Sequence, residues 1–113
     1  MTQQPKITNQ MIVRDDAFRN AFQSISRAAI PFMDAGAYFT DLMHDAATAS
    51  ALEPEQRIYI LVRDVGTYVY AYPDEAVSNV DKSQGRAVLR VVRGKYDSFN
   101  VTVVYDQSGY RTE

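Results

Sequence analysis

The chain contains no cysteine, which excludes disulfides, thiolate zinc sites, iron–sulfur ligation and a cysteine nucleophile together. It has one histidine, His44, too few for the histidine-rich metal and phosphohydrolase motifs that need several ligands. No Gly-x-Ser-x-Gly elbow and no glycine-rich phosphate loop occur in it, so serine nucleophilic catalysis and nucleotide cradling have no local signature. No apolar run approaches the eighteen or so residues of a membrane span, because Asp34, Gly36 and Asp41 break the richest stretch. The first ten residues lack the charged start and apolar run of a secretory signal, which reads as a cytoplasmic protein without a membrane partner. A strong basic excess is missing too. The net charge is −2, and a dedicated duplex-DNA binder needs a stronger positive field to gain from counterion release.

What is present fits one folded unit. The 113 residues and 46% hydrophobic content suit a single core that needs no covalent staples. Residues 1–10 read as a flexible N-terminal arm, with few apolar anchors, and residues 11–113 as one α+β domain. Phe18, Phe22, Ile25 and Ala29 recur at spacings of four, three and four, with Ala21, Ala28 and Phe32 widening the stripe, so a helix follows the acidic start Asp15-Asp16. Pro31 forces that helix to kink or to stop and restart. A second helical stretch carries Tyr38, Phe39, Leu42, Met43 and Ala46 on one side and runs out before Pro54.

From Arg57 the period changes to two. Ile58, Ile60 and Val62 alternate with Arg57, Tyr59, Leu61 and Arg63, a strand with one apolar face. Asp64-Val65-Gly66 is a hairpin loop, and Thr67 to Tyr72 the returning strand. The longest connection, Pro73 to Gly85, carries a single helical turn around Glu75 to Val80 and is a candidate functional loop. Arg86 to Arg93 and Phe99 to Tyr105 form a further hairpin about Gly94-Lys95-Tyr96-Asp97. Helices followed by hairpin strands predict an α+β fold: a kinked helix or helix pair packed on one face of a four-stranded antiparallel meander, the other face open. Asn100-Val101-Thr102 matches a glycosylation triplet but reads more simply as strand.

Three groups of residues stand out. Tyr68, Tyr70 and Tyr72 fall on one face of the second strand, and tyrosine supplies rigid contact area with a polar tip, as binding surfaces use it; on the plainer reading the rings cover a half-solvated sheet. Lys82, Arg86, Arg90, Arg93 and Lys95 are interleaved with Val88, Leu89, Val91 and Val92 without an acid between them. Arginine forks suit phosphate or carboxylate partners, while an edge strand kept soluble by cations gives the same pattern. Asp41, His44 and Asp45 share a helix face at i, i+3 and i+4 and read as a solvated face rather than a metal site.

The reading that follows is a non-enzymatic interaction module, of the inhibitor, immunity or accessory kind and bacterial or phage in type. Its partner-binding residues are Tyr68, Tyr70, Tyr72, Arg86, Arg90, Arg93 and Lys95, with the 73–85 loop beside them. A protein partner is expected, and homodimerisation through the same face is compatible with it; no cofactor is expected. The alternative is a metal-independent ribonuclease or RNA binder using Arg63, Arg90, Arg93, Lys95, Tyr70 and Tyr105, and the third a ligand binder with an apolar cone of Phe32, Phe39, Phe99 and Tyr105.

Overall fold

In the computed structural model, residues 16–33, 39–106 and 109–110 are described. The expected arm at residues 1–10 lies outside them. Helix α1 (Asp16–Ala29) opens with Asp16, whose negative charge suits a helix start and which pairs with Arg19 one turn on. Its buried face is Ala17, Phe18, Ala21, Ile25 and Ala29. Pro31 then takes a first-turn position in a short 3-10 segment (Ile30–Phe32), so the α-helix stops rather than carrying the proline inside it. Helix α2 (Phe39–Ser50) buries Leu42, Asp45, Ala46 and Ala49. Four alanines at zero exposure, Ala21, Ala29, Ala46 and Ala49, present little bulk in the core shared by the two helices and the sheet.

The sheet has five antiparallel strands: β1 (Arg57–Arg63), β2 (Gly66–Tyr70), β3 (Gly85–Arg93), β4 (Phe99–Asp106) and the two-residue β5 (Gly109–Tyr110). The α+β class and the helices packed against an antiparallel sheet are as the sequence predicts. The order is β2-β1-β3-β4-β5, however, and not that of a simple meander. The connection after β2 is long enough to carry the chain back across β1, and it does so through a helix, α3 (Pro73–Ser78), which starts on Pro73.

That crossing also covers the face expected to be open. Ala76 and Val80 pack on Tyr59, Leu61 and Val88, with Tyr70, Val77, Val104 and Tyr105 around them, as a second small core. Strand β1 is therefore buried on both faces, Ile58 through Val62 without a break. Gly85 closes the connection where a Cβ would lie 2.5 Å from Leu61 Cδ1 and 3.3 Å from Val80 Cα. On the other face, Ile58, Ile60, Val62, Leu89, Val91 and Phe99 meet α1 and α2 in the main core. Truncating one such aliphatic residue to Ala typically costs about 2–5 kcal/mol.

Candidate functional site

The register sets the face under α3 in rows. Tyr70, Tyr59, Arg90 and Thr102 lie side by side across four strands, and Tyr68, Leu61, Val88 and Tyr105 form the next row. Strand β1 thus stands between the tyrosine strand and the arginine strand. The expected tyrosine row divides accordingly: Tyr70 is half-buried against α3, while Tyr68 is 44% exposed and Tyr72, beyond the end of β2, is 66% exposed. The strand is shorter than expected because the chain turns at Ala71-Tyr72 into α3.

The basic residues divide too. Arg90 is half-buried in the tyrosine row beside Tyr59. Arg93 points to the opposite face, where its Nη1 donates to the Ser50 carbonyl at 2.8 Å, its Nη2 to Asp97 at 2.7 Å, and its guanidinium lies 4.9 Å from the centre of the Phe99 ring. A cation on the last carbonyl of α2 also complements that helix's dipole. Lys95 is exposed in the β3–β4 turn, beside Tyr96, which is 96% exposed with a positive φ of 55°. Arg86 is ion-paired with Asp64 of the β1–β2 hairpin.

What comes together is a corner. Arg63, at the end of β1, lays its guanidinium 4.3 Å from the centre of the Tyr68 ring. Its partner across the strands is Gly66, whose bare backbone makes room for the Asp41 carboxylate on the other side. The Arg63 Nε is buried without a hydrogen-bond acceptor, so the stack on Tyr68 and not a polar clamp holds the group. A cleft of about 420 Å³ opens beside it, lined by Arg63, Asp64, Val65, Gln84, Gly85 and Arg86. The hairpin, the first residues of β3 and the end of the 73–85 connection meet there. Of the residues singled out from sequence, Tyr68 and Arg86 belong to this corner. As a candidate functional residue Arg63 enters the sequence reading only as a ribonuclease group, and no local signal in the sequence places it against Tyr68.

No family model matches the chain, and no curated protein or solved structure matches it either. Two guanidinium groups meet here, one stacked on a half-exposed phenol and the other ion-paired with Asp64, which also lines the cleft. Among the described residues no group of three His, Asp or Glu side chains converges as metal ligands.

The three residues read as a solvated helix face are placed differently. His44 is exposed, but Asp45 is buried at 3% exposure, and it and Asp41 face the start of β2. Thr67 donates its backbone N–H to Asp41 Oδ2 at 3.1 Å and its hydroxyl to Asp45 Oδ2 at 2.7 Å. Burial pushes the Asp45 carboxyl from 3.8 up to about 7; the Thr67 hydroxyl opposes the shift, and the Asp41 charge adds to it. This is a tie between α2 and the edge strand β2. It fixes that strand under the tyrosine corner. The four residues proposed for an apolar cone do not line one cavity, because Phe99 belongs to the core under the helices and Tyr105 to the core under α3.

Proposed function

We propose that this chain is a small non-enzymatic interaction protein that docks a macromolecular partner, most simply an acidic protein surface, at the corner formed by Arg63, Tyr68, Arg86 and the end of the 73–85 connection. The observation that carries the reading is the Arg63–Tyr68 stack at the mouth of the 420 Å³ cleft. An aromatic ring and a guanidinium held together are the side-chain types that dominate binding energy at interfaces. Tyr72 flanks the cleft's connection as a further exposed ring. An inhibitor, immunity or accessory role in a bacterial or phage setting, in the cytoplasm, is the class of activity such a surface serves.

The test is affinity capture from host lysate with and without nuclease, run in parallel with an Arg63→Glu/Tyr68→Ala variant. A stoichiometric protein that survives nuclease and disappears with the variant supports the reading. A nuclease-sensitive catch of RNA would replace it with the nucleic-acid alternative. A partner retained equally by both proteins would move the interface away from this corner.

A further inference from the structure

A second surface lies at the opposite edge of the sheet, independent of the tyrosine corner. Strand β4 pairs with β3 along its length, but β5 covers only Tyr105 and Asp106, so among the described residues Phe99 to Val104 has a strand on one side only. Those six residues, Phe99-Asn100-Val101-Thr102-Val103-Val104, include no charge, proline or glycine, three of the features that usually blunt an edge; a bulge at Val104, between the Leu89–Val103 and Val88–Tyr105 pairs, ends the regular stretch.

The direction of the backbone groups follows from the bonds at the turn. The Gly94 N–H donates to the Ser98 carbonyl, whereas Arg93 exchanges its N–H and C=O with Gln56 and Glu55 on the other side. Hydrogen-bonded and non-bonded pairs alternate along an antiparallel ladder. Asn100 and Thr102 therefore bond to β3, while Phe99, Val101 and Val103 turn their N–H and C=O groups outward. The same three side chains point toward α1.

Between that edge and α1 runs a cleft of about 280 Å³, lined by Ser24, Arg27 and Ala28 from the helix and by Phe99, Asn100 and Val101 from the strand. Its lining is mixed, Ala28 and Val101 beside the polar Ser24 and Asn100 with Phe99 largely buried beneath, and its rim carries one exposed cation, Arg27. A second copy of the chain paired antiparallel about Val101 would set two Arg27 residues beside the symmetry axis on one side of the sheet, like charge against like. An acidic strand meets complementary charge instead.

We infer that the β4 edge takes an extended peptide as an added strand, with alternate residues facing α1: apolar side chains on Ala28, Phe99 and Val101, and a carboxylate on Arg27. The peptide backbone meets the outward groups of Phe99, Val101 and Val103, which gives affinity without sequence preference, and the carboxylate fixes register.

The probe is a fluorescein-labelled peptide, Ser-Gly-Val-Thr-Val-Thr-Glu-Gly-Ser, titrated with the whole protein by fluorescence polarisation. Exchanging its Glu for Lys, or Arg27→Glu in the protein, is expected to weaken binding about tenfold, the loss of one charge-assisted contact of about 1.4 kcal/mol. Combining the two changes restores binding. N-methylation of the peptide amides that face the edge abolishes it. Hydrogen exchange on the unliganded protein provides a readout that needs no variant: the Val101 and Val103 amides exchange fast alone and slowly with the peptide. Binding indifferent to the charge exchange and to N-methylation overturns the inference. So does slow exchange of both amides in the unliganded protein, which would show the edge already covered.

Discussion

Replacing Asp45 with Asn removes a titrating carboxyl from the interior while keeping an oxygen to accept from the Thr67 hydroxyl, 2.7 Å from the present carboxyl oxygen. In the unfolded chain this carboxyl ionises at the ordinary 3.8, whereas burial holds it at about 7 in the fold. Below about pH 4 it is protonated in both states and its contribution to stability is fully present. Between about 4 and 7 the unfolded chain has released the proton and the folded chain has kept it, so stability falls by about 1.4 kcal/mol per pH unit; above 7 both states are ionised and the fall stops. The full window is worth about 4 kcal/mol as a ceiling, since relaxation around the ionised group reduces it. The Asp45→Asn variant has no such slope. Its stability curve should therefore separate from that of the native chain as pH rises, with the variant more stable by about 2–4 kcal/mol at pH 8. Urea unfolding followed by far-ultraviolet circular dichroism at half-unit steps from pH 4.5 to 8.5 measures the gap. Parallel curves across that range would refute the placement of Asp45 between α2 and β2.

Tyr70→Ala should destabilise the fold by about 2 kcal/mol, because its ring packs on the α3 core, while Tyr68→Ala should cost less than about 1, and paired urea midpoints separate them. Arg93→Ala removes charged hydrogen bonds to Ser50 and Asp97 and should cost about 2 kcal/mol, whereas Lys95→Ala should fall within about 0.5 of the native value. Gly66→Ala drives a Cβ into Asp41 Oδ2 at a φ of +141° and should lower thermal stability by several degrees, with the largest loss of hydrogen-exchange protection at Thr67. Tyr96→Gly relieves a left-handed residue in the exposed turn and should raise stability by up to about 1 kcal/mol; a loss would show that the ring makes contacts at the turn.

How much of this is legible in the sequence depends on range. The four, three, four spacing of Phe18, Phe22, Ile25 and Ala29 and the alternation of Phe99, Val101 and Val103 are local signals, and both give the correct buried faces. Pro31 marks the end of α1, and Gly66 the hairpin. Strand order is not local. A thirteen-residue connection from Pro73 to Gly85 fits either a neighbouring strand or a crossing, and only the crossing places α3 on the sheet. Two traces of it stand in the chain: Ile58 to Val62 is an unbroken run without a charge, as a strand buried on both faces requires, and Ala76, Val77 and Val80 recur at helical spacing inside the connection. Asp45 reads as solvated because a carboxylate on a helix ordinarily is, and the hydroxyl that receives it lies 22 residues away. The corner follows the same rule: Tyr68 and Arg86 are visible as types, but the stack of Arg63 on Tyr68 depends on a cross-strand register that residue order alone does not state.

Because β1 pairs with β3 and not only with its hairpin partner, the molecule consists of two locally closed hairpins joined along a single central seam. Each hairpin forms from neighbours in the chain, whereas the seam requires closing the loop from Asp64 to Gln84. The seam is also where both cores meet the same strand. The helix-side core and the α3 core thus share one strand as a common wall, with Ile58, Ile60 and Val62 facing one and Tyr59 and Leu61 the other.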